Sequence, residues 1–264
     1  MSSCSKYIHD IIGVKKLPPK TIVLDPGYDP VTAAGHIMQS GHFISSYKLS
    51  MACWQIANEE ATRQKIAAAK EHNVPVCTGG GPFEVAASFG RVAEYLDLCA
   101  NLGINRIEAG EGFIHTNLNP KEIVKLASER GLEVQYEMGE KHSGPFTPKI
   151  VDELIDLGNE WLDAGAAQLV VEGRENALNV GLFDANGSLD FDAAEKLVSA
   201  LGMDKMIFEA PNKSSQFAFL KHFGPEVELC NVRLEELLRV EIYRRGLHSD
   251  AYMHENLRPA GPSS

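Results

Sequence analysis

Short apolar runs rich in β-branched and aromatic residues recur along the chain, and longer segments of mixed apolar and polar residues separate them. Several of the runs lack the alternation of a half-exposed strand, which is typical of parallel strands covered on both faces. Their starts are spaced by roughly thirty residues, the size of a βα unit. The pattern predicts eight strands, at residues 21–25, 43–50, 74–80, 106–110, 132–139, 167–174, 205–210 and 227–232.

The separating segments carry the start and stop signals of helices. Acids stand near the beginning of residues 58–73 and lysines towards their end, as the helix dipole favours. Asn119 is a candidate N-cap, and Pro120 suits the first position of the helix that follows it. The most clearly marked helices are predicted within residues 58–73, 89–103, 119–131, 147–165 and 233–246.

The alternation of eight strands with about eight helices predicts an α/β fold, a single (β/α)8 TIM barrel. A doubly wound open sheet is the competing architecture, but the even spacing and the count of eight favour the barrel. The chain has 264 residues, 44% of them hydrophobic, which suits one domain over residues 1–264 with a core at about 20–248. The tail at 254–264 is polar and rich in proline and glycine, so we expect it to be loose.

Charge and sequence features narrow the class of protein. The net charge is −11 and the pI is about 5.3, which argues against a nucleic-acid partner because phosphates need a basic face. No apolar run reaches the roughly eighteen residues of a membrane helix, and the N-terminus lacks the apolar stretch of a secretion signal. The sequence therefore predicts a cytoplasmic protein that holds any anionic ligand with a few local cations or a metal.

Ionisable residues follow seven of the eight predicted strands, while the strand interiors are largely apolar. A single charged residue after a strand is usually a solvated loop residue. In a barrel, however, the carboxyl ends of all the strands meet at one face, where active sites lie. We therefore expect a ring of convergent charges. Its acids are Glu108, Glu111, Glu137, Glu172 and Glu209, and its bases are Lys48, Lys141, Arg174, Lys213 and Arg233.

The residue types in this ring indicate a chemistry. Glutamates without histidine or cysteine companions suit a hard cation, so we predict an Mg²⁺ cofactor. The bases suit a small substrate with several negative groups, and Arg174 can bind an oxyanion with two parallel hydrogen bonds. Backbone N–H groups at Gly79 and Gly80 could approach an anion closely. The candidate metal ligands are Glu108, Glu137, Glu172 and Glu209, and further candidate substrate contacts are Asn212 and Asn231.

Six short motifs then follow one another along the chain: VLDPG, TGGGPFE, VEGRE, GLFD, FEAPNKSSQ and RRGL. In order and spacing the chain resembles the phosphosulfolactate synthases from about Thr21 to Asp250. The resemblance implies a TIM barrel enzyme that adds sulfite to phosphoenolpyruvate with Mg²⁺, an early step towards coenzyme M. The plant heat-stress-associated proteins are related to the same family.

The resemblance also implies roles for individual residues. Lys141, just after the fifth predicted strand, would protonate the carbon next to the substrate carboxylate, with Lys48 in reserve. We expect nearby cations and a bound Mg²⁺ to lower the pKa of Lys141, with Glu137 and Glu140 opposing them. Three bases, Arg174, Lys213 and Arg233, would hold phosphate and sulfite. A homo-oligomer is also expected.

The chain departs from the family pattern at several positions. Pro26 and Glu140 stand where lysines occur in the family. The turn after Lys48 contains glycine and tryptophan in the family, and here it reads LSMACW. Two alternatives therefore stay open. The chain could be a paralogue that adds a different nucleophile to phosphoenolpyruvate or a similar acceptor. It could also be a barrel that has lost catalysis and acts in the stress response.

Overall fold

The computed structural model describes residues 3–259 and 261, and its eight strands form one closed parallel barrel in sequence order. Every predicted strand is present, and the (β/α)8 fold is confirmed. The strands are β1 (Thr21–Asp25), β2 (Ile44–Leu49), β3 (Val76–Thr78), β4 (Arg106–Gly110), β5 (Glu133–Met138), β6 (Gln168–Val171), β7 (Met206–Glu209) and β8 (Glu228–Arg233).

Helices surround the barrel and connect consecutive strands. The α-helices are α1 (Ser3–Lys6), α2 (Pro30–Ser40), α3 (Cys53–Ile56), α4 (Glu59–Glu71), α5 (Gly81–Ser88), α6 (Val92–Leu102), α7 (Pro120–Ser128), α8 (Pro148–Ala164), α9 (Phe191–Leu201), α10 (Lys213–Phe223), α11 (Leu237–Arg244) and α12 (Ser249–Tyr252). A π-helix spans Tyr7–Ile11, and short 3-10 turns span Gly41–Phe43, Met203–Lys205 and Leu234–Glu236.

The helix boundaries follow the signals in the sequence. The Asn119 side chain accepts a hydrogen bond from the N–H of Glu122, and Pro120 is the first residue of α7. Helices α6 and α8 end at Gly103 and Gly165, whose φ angles of 86° and 106° are readily adopted only by glycine. Local backbone chemistry therefore sets where these helices end and the connections to the strands begin.

Two apolar layers stabilise the barrel. The outer layer lies between strands and helices, where for example the rings of Tyr136 and Trp161 stack with centroids 4.2 Å apart. The inner layer is a separate cluster of fully buried side chains from five different strands, which we call the floor. The floor consists of Ile22, Cys77, Val170, Ile207 and Cys230. Because it fills the barrel interior, polar groups above it lie in a depression that opens towards the carboxyl ends of the strands.

The described part of the tail packs against the body of the protein. Leu257 is buried, and the Asn256 side chain donates a hydrogen bond to the carbonyl of Lys221. The rest of the tail that was expected to be loose, residues 260 and 262–264, lies outside the described residues. Among the helices of the described residues, none has the length and apolar character needed to cross a membrane.

Candidate active site

A cavity of about 450 Å³ opens at the carboxyl ends of the strands, directly above the floor. Most of the charged residues predicted to converge do so here. The predicted site residues that line the cavity are Lys48, Gly79, Gly80, Glu108, Glu137, Lys141, Glu172, Arg174, Glu209 and Asn231. Further lining residues are Leu24, Ser50, Met51, Ala52, Gln55, Gly81, Pro82, Val85, Phe113 and Glu175.

Lys48 forms the deeper of two lysine-centred clusters. Its Nζ lies 2.9 Å from Oε1 of Glu108 and 3.5 Å from Oε1 of Glu209. Glu108 also accepts hydrogen bonds from the N–H of Gly80 at 2.8 Å and the amide of Gln135 at 2.8 Å. Burial alone would lower the pKa of Lys48, but the surrounding carboxylates raise it well above its usual value. Lys48 is therefore a charged part of the cavity wall.

Lys141 forms the second cluster, nearer to the opening. It follows β5, and its Nζ lies 2.6 Å from Oε2 of Glu137 and 2.7 Å from Oε2 of Glu172. The backbone of Gly112 accepts the N–H of Lys141 at 2.8 Å. A Cβ atom at Gly112 would stand 3.1 to 3.2 Å from three atoms of the lysine side chain. The absence of a side chain at Gly112 therefore leaves room for the Lys141 side chain to extend into the barrel.

The expectation that cations lower the pKa of Lys141 was wrong. Burial does favour a lower pKa, but Glu137, Glu172 and Glu209 outweigh it and raise the pKa above its usual value. Because two carboxylates contact the ammonium group directly, the lysine is protonated near neutral pH. It therefore carries its proton inside the cavity.

Three carboxylates meet next to Lys141. One oxygen from each of Glu137, Glu172 and Glu209 lies within 4.8 Å of the other two. Burial and the charges of Glu137 and Glu209 raise the pKa of Glu172 to about 9. Burial and neighbouring acids also raise the pKa of Glu108 to about 7, although Lys48 opposes them. The cavity therefore contains more acids than its two lysines neutralise.

This donor set has the chemistry of a divalent cation site. Four carboxyl groups face two ammonium groups inside the cavity, so full ionisation would leave two negative charges uncompensated, and the raised pKa values of Glu172 and Glu108 reflect burial and this excess of acids. One Mg²⁺ ion would balance them, and carboxylate oxygens are its preferred protein ligands. Glu108 is the predicted ligand that fits least, since Lys48, Gly80 and Gln135 already occupy its oxygens. The better-suited set is Glu137, Glu172 and Glu209.

The segment after β6 positions two of these acids through its backbone. The N–H of Gly173 donates to Oε2 of Glu209 at 2.9 Å, and the N–H of Arg174 donates to Oε1 of Glu172 at 2.7 Å. Arg174 has a φ of 56°, an unusual value for a residue other than glycine. Its side chain is exposed at the cavity, and Nη1 lies 3.3 Å from the carbonyl of Lys141. Arg174 is thus placed to meet an incoming anion.

The glycine run lines the cavity, but its first two N–H groups are already engaged. Gly79 donates to the carbonyl of Leu49 at 3.0 Å, and Gly80 donates to Glu108 at 2.8 Å. A Cβ atom at Gly80 would stand 3.1 Å from Oε2 of Glu137. Gly80 therefore makes room for the carboxylates, and the N–H groups of Gly79 and Gly80 are not free to bind an anion as predicted.

Three predicted substrate contacts lie away from the cavity lining. Asn212 caps α10, and its side-chain amide donates to the carbonyl of Asn176. Lys213, the first residue of α10, lies 3.7 Å from Asp250 and over the ring of Phe217. Arg233 is exposed and lies near Tyr28 and Glu235. Asn212 and Lys213 begin the helix that follows β7, whereas Arg233 is the exposed last residue of β8.

One buried acid near the site escaped the sequence analysis. Glu84 of α5 accepts the N–H groups of Phe113 at 2.9 Å and Ile114 at 3.1 Å, and its other oxygen has no hydrogen-bond partner. It thereby holds the loop that follows β4, whose Phe113 lines the cavity. The acid at the end of the TGGGPFE motif was the signal, because a polar residue there interrupts an otherwise apolar helix start.

Comparison with known proteins identifies the family. The family described as (2R)-phospho-3-sulfolactate synthase (ComA) matches residues 18–250. Phosphosulfolactate synthase from Methanocaldococcus jannaschii is 34% identical over 88% of this chain and 93% of its own length. The protein of the same name from Methanothermobacter thermautotrophicus is 30% identical over 90% and 92%. Protein HEAT-STRESS-ASSOCIATED 32 from Arabidopsis thaliana is 25% identical over 72% of each chain.

Solved structures show the same architecture at low sequence identity. The structure of KGPDC from Streptococcus mutans aligns with 87% of this chain and 99% of its own, with a TM-score of 0.54 and 14% identity. At that identity the likeness shows the fold alone. The family match across most of the chain, together with the relatives at 30% and 34% identity, shows more than the fold. This protein belongs to the phosphosulfolactate synthase family, a family of enzymes.

Proposed function

We propose that the protein adds sulfite to phosphoenolpyruvate to give phosphosulfolactate, and that it does so with a divalent cation. The observation that carries the proposal is the contact of Lys141 with Glu137 and Glu172 beside the carboxylate of Glu209. This arrangement joins a proton donor and a cation site inside one cavity. The names of the relatives give the product, phosphosulfolactate, and the resemblance of the sequence motifs implies the substrates.

The cavity suits a small, highly charged substrate. Its volume of about 450 Å³ lies within the range of small-molecule sites. Arg174 presents a guanidinium group at the opening, which can bind a phosphate or carboxylate with two hydrogen bonds. Lys141 lies between this arginine and the acids. An anion held by Arg174 would therefore extend towards Lys141 and the carboxylate cluster.

The carboxylates of Glu137, Glu172 and Glu209 would hold the cation, and Mg²⁺ matches their oxygen donors. When bound, it would stabilise negative charge on the substrate carboxylate as a Lewis acid. Glu172 is already fixed by the N–H of Arg174, and Glu209 by the N–H of Gly173. These backbone contacts orient the oxygens before any ligand arrives, so little reorganisation is needed.

The proposed reaction forms one carbon–sulfur bond and one carbon–hydrogen bond. The sulfur lone pair of sulfite attacks the methylene carbon of phosphoenolpyruvate, and the double-bond electrons move towards the carboxylate. Lys141 then donates its proton to the carbon that bears the phosphate and the carboxylate, and Glu137 and Glu172 hold its ammonium group in place for that transfer. The phosphate ester stays intact throughout, so no leaving group departs.

The test is incubation of the purified protein with phosphoenolpyruvate, sulfite and Mg²⁺, followed by phosphorus NMR. We expect a new phosphate monoester signal that grows as the phosphoenolpyruvate signal falls. Reactions without sulfite, and with a Lys141→Met variant, are the controls. Release of free phosphate, or unchanged phosphoenolpyruvate with wild-type protein, would contradict the proposal.

A second candidate function follows from the departures at two positions. Pro26 and Glu140 replace lysines of the family pattern, and Glu140 is exposed beside His115. Fewer cations at the opening would favour a nucleophile of lower charge than sulfite. Substituting other nucleophiles for sulfite in the same NMR experiment distinguishes the two functions, because each gives its own phosphate ester.

A further inference from the structure

Strand β8 contains a bulge that the catalytic proposal does not use. On the neighbouring strand, Thr21 pairs with Leu229 and Val23 pairs with Val232. One residue of β1 therefore lies opposite two residues of β8, Cys230 and Asn231, which defines a β-bulge. Asn231 has a φ of 59°, in the left-handed region. This conformation is disfavoured for every residue except glycine, although asparagine tolerates it better than most.

The bulge changes the direction of one side chain. Successive residues of a regular strand point to opposite faces. Here Cys230 belongs to the floor inside the barrel, and the next residue, Asn231, lines the cavity above it. Both therefore face the interior. Bulges beside active sites commonly serve to aim a side chain in this way.

The Asn231 amide is buried and incompletely paired. The residue is 8% exposed, and its Oδ1 has no hydrogen-bond partner. A buried acceptor without a partner destabilises the fold, and so does a left-handed backbone at a residue other than glycine. These two unfavourable features at one cavity-lining residue indicate that the Asn231 amide binds a ligand and does not stabilise the fold.

The two sides of the cavity differ in charge. The connections that follow β5 and β6 supply Lys141 and Arg174. The lining from β1, β8 and the segment after β2 is uncharged apart from Lys48, whose ammonium group is bound to Glu108 and Glu209. The uncharged residues are Leu24, Ser50, Met51, Ala52, Gln55 and Asn231. A substrate with phosphate and carboxylate groups suits the charged side, which leaves the uncharged side for a smaller partner.

We infer that Asn231 binds the second substrate, sulfite in its singly protonated form, an inference that rests on the function proposed above. The amide offers an acceptor and donors within one side chain, and hydrogen sulfite can both donate and accept. After its sulfur attacks, the proton of the resulting sulfonic acid is released to water and the sulfonate remains. The hydroxyl of Ser50 lies in the same uncharged wall. Asn231 is thus a specificity-determining residue: it orients the nucleophile towards a phosphoenolpyruvate molecule held on the charged side.

The test uses Asn231→Gly, with Asn73→Gly as the matched control. Asn73 has a nearly identical φ of 56° but is exposed in the turn after α4, away from the cavity. Glycine adopts this conformation freely, so we expect both variants to be folded, with a Tm equal to or above that of the wild type. For Asn231→Gly we expect the KM for sulfite to rise about tenfold or more, the scale of one lost hydrogen bond. The KM for phosphoenolpyruvate should change by less than about threefold, and Asn73→Gly should change neither constant.

A binding measurement without turnover separates this inference from the proposed function. Sodium sulfite alone should raise the Tm of the wild type and of Asn73→Gly, but not that of Asn231→Gly. Unchanged KM values in Asn231→Gly, or a change in the KM for phosphoenolpyruvate alone, would overturn the assignment and leave the proposed function standing. A wild type without turnover would defeat the proposed function, and the sulfite-dependent Tm shift would then decide the assignment. Absence of that shift in the wild type would overturn it.

Discussion

Lys48 and Lys141 each lie between two glutamates on the inside of the same barrel, but they differ in access. The side chain of Lys48 is 4% exposed, and hydrogen bonds from Gly80 and Gln135 surround its partner Glu108. The side chain of Lys141 is 22% exposed and reaches its acids from a loop. The same ion-pair chemistry therefore builds a buried wall in one place and an accessible ammonium group in the other.

The largest expected effect in this comparison is on stability at Lys48. Lys48→Met leaves Glu108 and Glu209 buried without their cation, and breaking a buried pair costs about 3–5 kcal/mol. We expect the Tm to fall by roughly 6–20 °C, measured by calorimetry. Lys149→Met, at an exposed lysine 3.2 Å from Glu153, should change the free energy of unfolding by less than about 0.5 kcal/mol. A Lys48→Met protein as stable as the wild type but without turnover would reverse the roles of the two lysines.

The next effect is on turnover at Lys141. Lys141→Met removes the proposed proton donor, so kcat should fall by about 10²-fold or more. Binding of phosphoenolpyruvate should fall less, and the Tm should drop less than in Lys48→Met. Steady-state kinetics and calorimetric binding separate these effects. Turnover close to the wild-type value would assign the role of proton donor to Lys48. Lost binding with intact chemistry would make Lys141 a substrate contact.

The accessibility of Lys141 also depends on the loop that Glu84 holds. Glu84→Ala removes the acceptor for the N–H groups of Phe113 and Ile114, which should lower the free energy of unfolding by about 1–3 kcal/mol. Hydrogen exchange should increase in residues 111–118 and change little around Lys48. The matched control is Glu94→Ala, which removes an exposed acid paired with Arg91. Equal protection of the loop in wild type and Glu84→Ala would show that other contacts hold it.

The smallest expected effect is the stabilisation of the fold by bound Mg²⁺. It should depend on the acids around Lys141, which distinguishes this cluster from the one around Lys48. A tenfold excess of Mg²⁺ over its Kd would stabilise the folded protein by about 1.4 kcal/mol, a Tm rise of roughly 3–6 °C. Glu172→Gln should abolish the rise, whereas Glu84→Gln, at a buried acid outside the carboxylate cluster, should preserve it. Full turnover after exhaustive chelation would contradict a metal role for the Lys141 cluster.

Most of the fold could be predicted from the sequence because its determinants are local. Apolar runs without alternation marked the parallel strands, and β1 and β4 have the predicted bounds. Helix ends depend on side chains such as Asn119 and on left-handed glycines, both of which are visible in the sequence. Regular spacing of the units then left few arrangements other than a closed barrel.

The site could be predicted only in part, because its details depend on contacts between distant segments. The acids at the ends of β4 to β7 converge as expected, but Lys213 lies on a helix that has already left the opening. The raised pKa of Lys141 follows from Glu137, which is close in sequence, and from Glu172 and Glu209, whose approach no local pattern reveals. Gly80 likewise donates its N–H to Glu108, 28 residues further along the chain.

The floor of Ile22, Cys77, Val170, Ile207 and Cys230 gives the cavity a closed lower end. Within the described residues, reactants and product must therefore pass through the same opening at the carboxyl ends of the strands. A compound bound at this opening should therefore block the entry of both reactants and the release of the product at once.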